Sequence, residues 1–337
     1  MRGGKIMKKK ILPFLLLLLC MGCGAGREYQ TAFFAMDTYM TIQAYGSHAE
    51  DAAKEAERAV FALENKISRT RENTDIARLN AADGEAVQIS EETYSILSDV
   101  KALAVPEVFD PTIAAVSDLW DISSGSGHIP GQEEIDTVRE TVSINNLVLL
   151  EDSRAQLLNG AKIDLGAVGK GIAADQCAEI LRRNGVESSL VFLGGNIYAL
   201  GEKPDGSAWS VGIADPDNSS DYIATIAVRD ASVVTTGDYE RYFIEDGVRY
   251  HHVFDPVLGE PARSGLRSVT VVHESSMIAD ARSTTLFVLG LEAGLRYCAE
   301  HQIEAVFITE DKEIYVTEGL RDRFTFRGEA AGYVMGA

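Results

Sequence analysis

The sequence lacks an excess of basic residues. Its 337 residues include 31 Lys and Arg against 51 Asp and Glu, which gives a formal net charge of −20 at pH 7. Nucleic acids and anionic membrane surfaces attract basic proteins, so neither is an expected electrostatic partner. Cysteine is scarce as well, with four residues in all. Cys177 and Cys298 fall inside apolar helical patterns, which predicts two buried thiols and no disulfide.

The sequence also lacks a hydrophobic run that could span a bilayer. The apolar run from Ile11 to Cys20 has about ten residues and follows five basic residues between Arg2 and Lys10. This pattern is typical of a signal peptide. Gly22 and Cys23 then resemble the end of a lipoprotein signal. Residues 1–26 are therefore predicted to be a signal peptide and tether, with Cys23 lipidated and the protein anchored to the extracytoplasmic face of the cell membrane.

The remaining residues, 27–337, show neither an internal repeat nor a regular alternation of strands and helices. Apolar periodicity predicts helices at 48–67, 75–80, 90–104, 275–289 and 291–300, with another that ends near Trp120. Strands are predicted at 31–45, 146–150, 156–158, 163–165, 190–201, 305–309 and 313–316, with several more between 209 and 254. The mixture predicts one domain of the α+β class.

A glycine-rich stretch at residues 162–171 is the clearest candidate for a ligand site. Gly166, Gly169 and Gly171 lie at a predicted strand-to-helix corner, where glycine lets the backbone approach a ligand closely. The helix N-terminus and Lys170 would attract an anion such as a phosphate. The spacing is not that of a Walker A loop. On its own, the stretch is equally consistent with a tight turn that carries a solvated lysine.

Two further groups of residues could carry chemistry. Asp280 and Thr284 are spaced to share one face of a helix, with Ser283 beside them, and such oxygen donors suit Mg²⁺. A helix cap with a hydrogen-bonded threonine is the alternative. His252, near Asp255 at the end of a strand, could act as a general base, although His–Asp pairs at strand ends are often structural. The polar turn at 235–242 could bind a ligand or be a plain hairpin.

Together these pieces resemble the ApbE family, the magnesium-dependent FAD:protein FMN transferases. The resemblance runs from Phe34 to about Gly290, with the motifs in family order. They are Met36-Asp37-Thr38, Phe109-Asp110-Pro111-Thr112 through Trp120, Asp164-Leu165-Gly166 through Gly171, Gly194-Gly195-Asn196, Thr236-Gly237-Asp238-Tyr239, His252 through Pro256, and Ala279-Asp280 through Thr284. The fold implied is a T-fold-like architecture of mixed, mainly antiparallel sheets packed with helices.

The resemblance also implies the site. The FAD-binding residues would be Met36, Thr70, Val108, Phe109, Asp110, Asp164, Lys170 and Phe254. Mg²⁺ would be held by the Ala167 carbonyl, Asp280 and Thr284, with Ser283 as a further candidate. His252, or else Asp255, would take the proton of the target hydroxyl. FMN would pass from FAD to a threonine or serine of an exported acceptor domain of a membrane redox complex, with release of AMP.

The sequence departs from the family pattern at two positions. Asp37 replaces a glycine and is expected to reshape its turn. Thr70 stands where many members carry an aromatic residue against the flavin. Because threonine offers little stacking surface, an FAD pyrophosphatase that yields FMN and AMP is an alternative function. A lipoprotein that binds FAD without chemistry is another.

Overall fold

The computed structural model describes residues 27–336, so the predictions for residues 1–26, including Cys23, lie outside the described part of the chain. Within residues 27–336, no helix is long and apolar enough to cross a membrane. The helices are α1 (Ala49–Ile67), α2 (Asp75–Asn80), α3 (Glu91–Leu103), α4 (Ala114–Trp120), α5 (Gln132–Arg139), α6 (Gly169–Arg183) and α7 (Ser276–His301).

The strands divide among one large sheet and several small ones. They are β1 (Glu28–Ala35), β2 (Thr38–Tyr45), β3 (Val87–Gln88), β4 (Leu147–Leu150), β5 (Arg154–Leu157), β6 (Ser188–Leu193), β7 (Asn196–Gly201), β8 (Trp209–Asp215), β9 (Asn218–Val228), β10 (Ala231–Gly237), β11 (Tyr242–Glu245), β12 (Val248–His251), β13 (Phe254–Asp255), β14 (Glu260–Pro261), β15 (Leu266–His273), β16 (Glu304–Thr309), β17 (Glu313–Val316), β18 (Phe324–Phe326) and β19 (Val334–Met335).

A nine-stranded sheet forms the centre of the fold, in the order β1-β2-β6-β7-β10-β15-β16-β17-β19. Its pairs are antiparallel except for β17 and β19, which are parallel. Helices α1 and α6 cover the β2–β6–β7 part of one face, and α7 covers the β10–β15–β16 part. The α+β prediction is confirmed.

Helices α1 and α6 pack closely because small side chains face each other. On α1 the buried residues include Ala52, Ala56 and Val60 at helical spacing, and on α6 they include Ala174 and Cys177. Cys177 and Cys298 are both buried free thiols, as predicted. The helix predicted from residue 90 is also confirmed, with the Ser90 hydroxyl accepting a hydrogen bond from the Thr93 N–H at its N-terminus.

Two smaller clusters complete the core. The sheet β18-β9-β8 packs on the opposite face of the large sheet through residues such as Trp209 and Ile213. A separate cluster surrounds the buried Trp120, where α4 and α5 meet the hairpin β11–β12. The helix α7 changes direction at Gly290, whose φ of 75° is non-helical, so the two helices predicted for this region are joined at a kink.

Two strand predictions were wrong. Residues 31–45 form two strands joined by a tight turn. Residues 163–165 form no strand, because a side chain takes the place of a neighbouring strand. The Asn80 amide donates to the Ile163 carbonyl at 2.8 Å, and its Oδ1 accepts from the Ile163 N–H at 2.7 Å. The Asp164 N–H donates to the Pro111 carbonyl.

Candidate active site

A cavity of about 1050 Å³ opens where the turns β1–β2 and β6–β7 meet the first turns of α6 and α7 and the end of β10. Its volume is at the upper end of the range for small-molecule sites. Most of the residues predicted for the site lie on its wall, namely Met36, Thr70, Val108, Phe109, Asp110, Asp164, Ala167, Lys170, His252, Phe254, Asp280 and Thr284. Ser283 and Asp255 are not among its lining residues.

Gly171 permits the close contact between α6 and α7 that forms one end of the cavity. A β-carbon at position 171 would lie 2.5 Å from the carbonyl oxygen of Ser276 and 2.6 Å from the Cα of Met277. Neither Gly171 nor its neighbours Gly166 and Gly169 adopts a positive φ. The predicted close approach of glycine therefore exists, but at position 171 it is an approach to the backbone of another helix.

The same contact connects the predicted metal ligands. Asp280 is 4% exposed, and its Oδ2 accepts the Gly171 N–H at 2.9 Å. In a regular helix that N–H would donate to the carbonyl of Ala167, four residues earlier. Among the hydrogen bonds of residues 27–336, the Ala167 carbonyl has no backbone donor. Because Asp280 takes the Gly171 N–H, the carbonyl of Ala167, another residue of the cavity wall, is left without a backbone donor.

The hydroxyl groups of α7 differ in their accessibility to the cavity. Thr284 lines the cavity, and its Oγ1 lies 3.3 Å from the Oγ1 of Thr236. Ser283 is fully buried, and its Oγ donates to the Asp280 carbonyl at 2.9 Å and lies 2.7 Å from Thr236 Oγ1. The structure therefore brings Thr284 to the cavity and leaves Ser283 behind its wall.

The oxygen donors present fit a hard cation such as Mg²⁺. Within residues 27–336, no group of three or more His, Cys, Asp or Glu side chains is placed to hold a metal ion. Mg²⁺ does not need such a group, because it takes one or two carboxylates and completes its shell with water and phosphate oxygens. One carboxylate from Asp280, a carbonyl from Ala167 and a hydroxyl from Thr284 suit that preference.

Lys170 supplies positive charge at the same place. It lies on the cavity wall in the first turn of α6. Burial raises the pKa of Asp280, and the charge of Lys170 and the Gly171 N–H act in the opposite direction. The positive end of the α6 dipole also favours an anion here. This end of the cavity is thus suited to bind a cation and a phosphate group together.

His252 lies on the cavity wall with one ring nitrogen already engaged. Its Nδ1 is 3.3 Å from the carbonyl oxygen of Arg241. Because a carbonyl only accepts, Nδ1 carries the hydrogen and Nε2 keeps its lone pair. The surrounding protein, and then the charges of Arg241 and Lys170, lower the pKa of His252 to about 3. The imidazole is therefore neutral near pH 7 and able to accept a proton at Nε2.

Asp255, the other candidate base, has a structural task. Its Oδ1 accepts the N–H groups of Val257 and Leu258 at 2.8 and 3.0 Å. These bonds hold the turn between β13 and β14. Of the two candidate bases, the structure brings only His252 to the cavity wall.

The turn that contains Met36 is fixed by a buried carboxylate. Glu64 is 6% exposed, and its Oε1 accepts the Met36 N–H at 2.8 Å. Met36 and Asp37 have φ angles of 48° and 57°, as in a two-residue hairpin loop of the I′ type. Aspartate tolerates this left-handed conformation better than most residues. The departure at Asp37 is therefore accommodated in a tight turn.

Asp110 and Asp164 stabilise two loops of the cavity wall. The Asp110 Oδ1 accepts the Thr112 N–H at 2.8 Å, and its Oδ2 accepts the Ile144 N–H at 2.7 Å. Asp164 accepts the Gly166 N–H at 2.8 Å and pairs with Arg69, whose Nε lies 3.0 Å from its Oδ2. Both carboxylates line the cavity, but each already has protein partners.

The remaining predicted binding residues line the cavity but differ in their exposure. Val108 and Phe254 line it and are partly buried, whereas Phe109 is 4% exposed. Thr70 is exposed, and its Oγ1 lies 3.3 Å from the Oγ of Ser68. It therefore brings no aromatic surface to this wall.

Several lining residues were not singled out from the sequence. They include Glu64, Arg69, Arg71, Glu240 and Arg241. Glu240 and Arg241 belong to the polar turn at 235–242, which was predicted to be either a ligand site or a plain hairpin. Its polar composition was the available signal for a ligand site. Arg69 and Arg71 belong to the polar segment after α1, where nothing in the local sequence distinguishes them from solvated residues.

Comparisons with known proteins agree with this geometry. The sequence model of the ApbE family matches residues 36–307. A Treponema pallidum protein named FAD:protein FMN transferase is 34% identical over 345 residues, covering 91% of this chain and 94% of that protein. A protein of the same name from Klebsiella pneumoniae is 30% identical over 306 residues, covering 89% and 95%.

Solved structures give the same result. The ApbE protein of Thermotoga maritima is 31% identical, with a TM-score of 0.82, and the match covers 87% of this chain and 98% of that chain. The apo form of the flavinyl transferase ApbE of Pseudomonas stutzeri is 27% identical, with a TM-score of 0.80, and the match covers 90% and 98%.

Proposed function

The chain belongs to the ApbE family, and from this premise we propose that it transfers FMN from FAD to a threonine or serine hydroxyl of an exported acceptor protein in a Mg²⁺-dependent reaction that releases AMP. One observation carries the proposal. The Asp280 carboxylate takes the Gly171 N–H and leaves the Ala167 carbonyl free on the wall of a cavity large enough for a dinucleotide.

The protein would hold Mg²⁺ through Ala167, Asp280 and Thr284. When bound, the ion would act as a Lewis acid on the diphosphate, which can contribute several kcal/mol to the reaction. Lys170 and the N-terminus of α6 bind the diphosphate oxygens and neutralise charge as AMP leaves. Val108 and Phe254 supply apolar surface for the rings of FAD.

His252 acts as the general base at Nε2. The acceptor oxygen forms a bond to the phosphorus of the FMN half, the bond from that phosphorus to the bridging oxygen breaks, and AMP leaves with that oxygen. The hydroxyl proton passes to His252. An anionic diphosphate close to Arg241 and Lys170 offsets the two charges that hold down the pKa of His252, so that substrate binding makes it a stronger base.

The test is to incubate the protein with FAD, Mg²⁺ and a purified acceptor domain, and to measure in-gel flavin fluorescence and free AMP. A fluorescent acceptor and one AMP per label are expected, and EDTA should abolish both. Intact bound FAD with neither product would contradict the proposal and support a protein that only binds FAD.

An FAD pyrophosphatase is the second candidate, and the exposed Thr70 favours it, because without an aromatic side chain water has easier access to the diphosphate. Free AMP without labelled acceptor would support this function.

Thr70→Tyr is predicted to tighten FAD binding by about 0.5–1.5 kcal/mol, the value of an aromatic stack. It should also raise the ratio of labelled acceptor to free AMP, with Thr70→Val as the control without a ring. An unchanged ratio in Thr70→Tyr would argue against this role of Thr70.

We also propose that the protein is exported and lipid-anchored through Cys23. The proposal rests on the sequence of residues 1–26 alone. Labelling of cells with a radioactive fatty acid should mark the wild type and the Cys20→Ser variant but not Cys23→Ser. Label retained in Cys23→Ser would contradict it.

A further inference from the structure

Asn196 is a buried side chain without a hydrogen-bond partner. It is the first residue of β7, directly after the Gly194–Gly195 turn, and it is 1% exposed. Neither its Oδ1 nor its Nδ2 has a partner among the described residues. Burial of an unpaired amide costs about 1–3 kcal/mol in proteins. Such a side chain is expected to find its partner in another state of the site.

The candidate partner is Asp280, on the helix α7 that packs against both α6 and β7. Burial raises the pKa of that carboxyl, while Lys170, the Gly171 N–H and then the Asn196 amide act to lower it. Asn196 shares a face of β7 with Tyr198, which packs in the same core cluster as α6, so its amide is directed toward the α6–α7 contact that holds Asp280. The side chains of Asn196 and Asp280 do not form a hydrogen bond of normal geometry. Oδ2 of Asp280 already accepts the Gly171 N–H, so Oδ1 is the oxygen left to accept a hydrogen from the Asn196 amide.

We propose that Asn196 is a positioning residue for Asp280: its Nδ2–H donates to the carboxylate when Asp280 binds a divalent cation. The inference rests on the proposed function, because it requires a cation at Asp280. Asn196 does not line the cavity, so it acts only through Asp280. Groups that hydrogen-bond to metal ligands fix the ligand's orientation, and their loss typically weakens metal binding 10–100-fold.

A second buried asparagine shows what a purely structural amide looks like in this protein. Asn146 is 9% exposed, donates to the Thr141 carbonyl at 3.1 Å, and accepts from Asn159 at 2.9 Å. Both of its amide atoms are used in the structure as it stands. Asn196 has no such partners and lies beside the proposed cation site, and that difference is the basis of the inference.

The experiment measures two quantities on Asn196→Leu and on the matched control Asn146→Leu. One is the affinity for Mn²⁺, followed by electron paramagnetic resonance of the free ion, and the other is the melting temperature in EDTA. Asn196→Leu should bind Mn²⁺ about 10–100-fold more weakly. Its melting temperature should be unchanged or raised, because an unpaired buried amide is removed. Asn146→Leu should melt lower and bind Mn²⁺ like the wild type.

Three outcomes would overturn the inference. One is wild-type Mn²⁺ affinity in Asn196→Leu, and another is a lower melting temperature of that variant in EDTA, which would show that the amide is bonded without the cation. Should the leucine variant fail to fold, Asn196→Ser is measured in its place under the same criteria. Equal Mn²⁺ binding by the wild type and Asp280→Asn would overturn the metal assignment and this inference with it. Loss of Mn²⁺ binding in Asp280→Asn, together with wild-type Mn²⁺ binding in Asn196→Leu, would overturn only the role of Asn196.

Discussion

The two ends of the cavity are built in different ways. At one end, α6 and α7 approach so closely that only glycine fits at position 171, and a buried carboxylate bonds directly to a backbone N–H across the contact. At the other end, α4, α5 and the β11–β12 hairpin enclose a small aromatic cluster around Trp120 that is separate from the main core. The first end is fixed by backbone contacts and the second by side-chain packing.

The difference matches the chemistry proposed for each end. Phosphoryl transfer depends on the positions of a metal ion, a phosphate and a base, and errors of about 1 Å in such positions can cost 100-fold in rate. The α6–α7 end supplies close backbone contacts that can fix such positions. The Trp120 end contacts the cavity through Phe254, whose ring lies 6.3 Å from that of Trp120. Apolar packing of this kind suits recognition of a ring system.

Asp280→Ala should have the largest effect, because it removes the carboxylate from the rigid end. A metal ion contributes several kcal/mol in such reactions, and each 1.36 kcal/mol is tenfold, so turnover should fall at least ~100-fold. The fold should persist, since the variant loses one hydrogen bond together with a buried charge. The measurement is AMP release at fixed free Mg²⁺, with circular dichroism for the fold. Full activity in this variant would refute the metal assignment.

Gly171→Ala should separate the two helices without removing a chemical group. Its β-carbon would meet the backbone of Ser276 and Met277, which cannot move aside as a flexible side chain can. Overpacking of this kind costs about 1–3 kcal/mol. Urea unfolding gives the change in the free energy of unfolding, and Mn²⁺ binding should weaken in parallel.

The control is Gly169→Ala in the same turn of α6. There the added β-carbon would lie 3.5 Å from the Ile67 Cδ1, an ordinary contact. The free energy of unfolding should stay the same or rise by up to about 1 kcal/mol. If both variants behave alike, the contact with α7 is not what requires glycine at position 171.

The contact at Gly171 also marks the limit of what the sequence predicts. Helical periodicity and the Ser90 cap are local signals, and both were confirmed. The partner of Gly171, by contrast, lies more than 100 residues later in the chain, and no local pattern shows that a glycine faces a helix backbone and not a ligand. The family motifs indicated that Lys170 and Asp280 belong to one site, but not that Asp280 bonds to Gly171.

Other errors had different causes. The strand predicted at 163–165 fits the apolar pattern, but the Asn80 side chain replaces the neighbouring strand, which periodicity cannot reveal. The structural role of Asp255 was readable, because aspartate followed by proline and then Gly259 is turn chemistry. The pairing of Arg69 with Asp118 and Asp164 had no local signal.

The pH dependence of stability should reveal how far the folded protein lowers the pKa of His252. Its pKa is lowered to about 3 in the folded protein, whereas an unfolded histidine has a pKa near 6.5. Between these values the unfolded chain binds a proton that the native state does not, so stability falls as the pH decreases below about 6.5. When the pH is lowered from 7.5 to 5, the free energy of unfolding should therefore fall less in His252→Gln than in the wild type.

The measurement is urea unfolding at both pH values, with the exposed His128→Gln as the control that should keep the wild-type dependence. The dependence will not vanish in His252→Gln, because burial also lowers the pKa of His251. An identical dependence in the wild type and His252→Gln would mean that His252 titrates alike in the folded and unfolded chain.

Trp120→Phe should have the smallest effect and tests whether the aromatic end is independent of the helix end. Its Nε1 donates to the Gly259 carbonyl at 2.8 Å, and the loss of this bond should cost about 1 kcal/mol of stability. Because Trp120 packs against Phe254, binding of FAD should weaken, while Mn²⁺ affinity stays the same.

Trp209→Phe is the matched control. The Nε1 of Trp209 bonds to the Leu200 carbonyl on the far face of the sheet, so FAD binding should not change in this variant. Weaker Mn²⁺ binding in Trp120→Phe would show that the two ends are coupled, and the division of the cavity into a rigid chemical end and a packed recognition end would not hold.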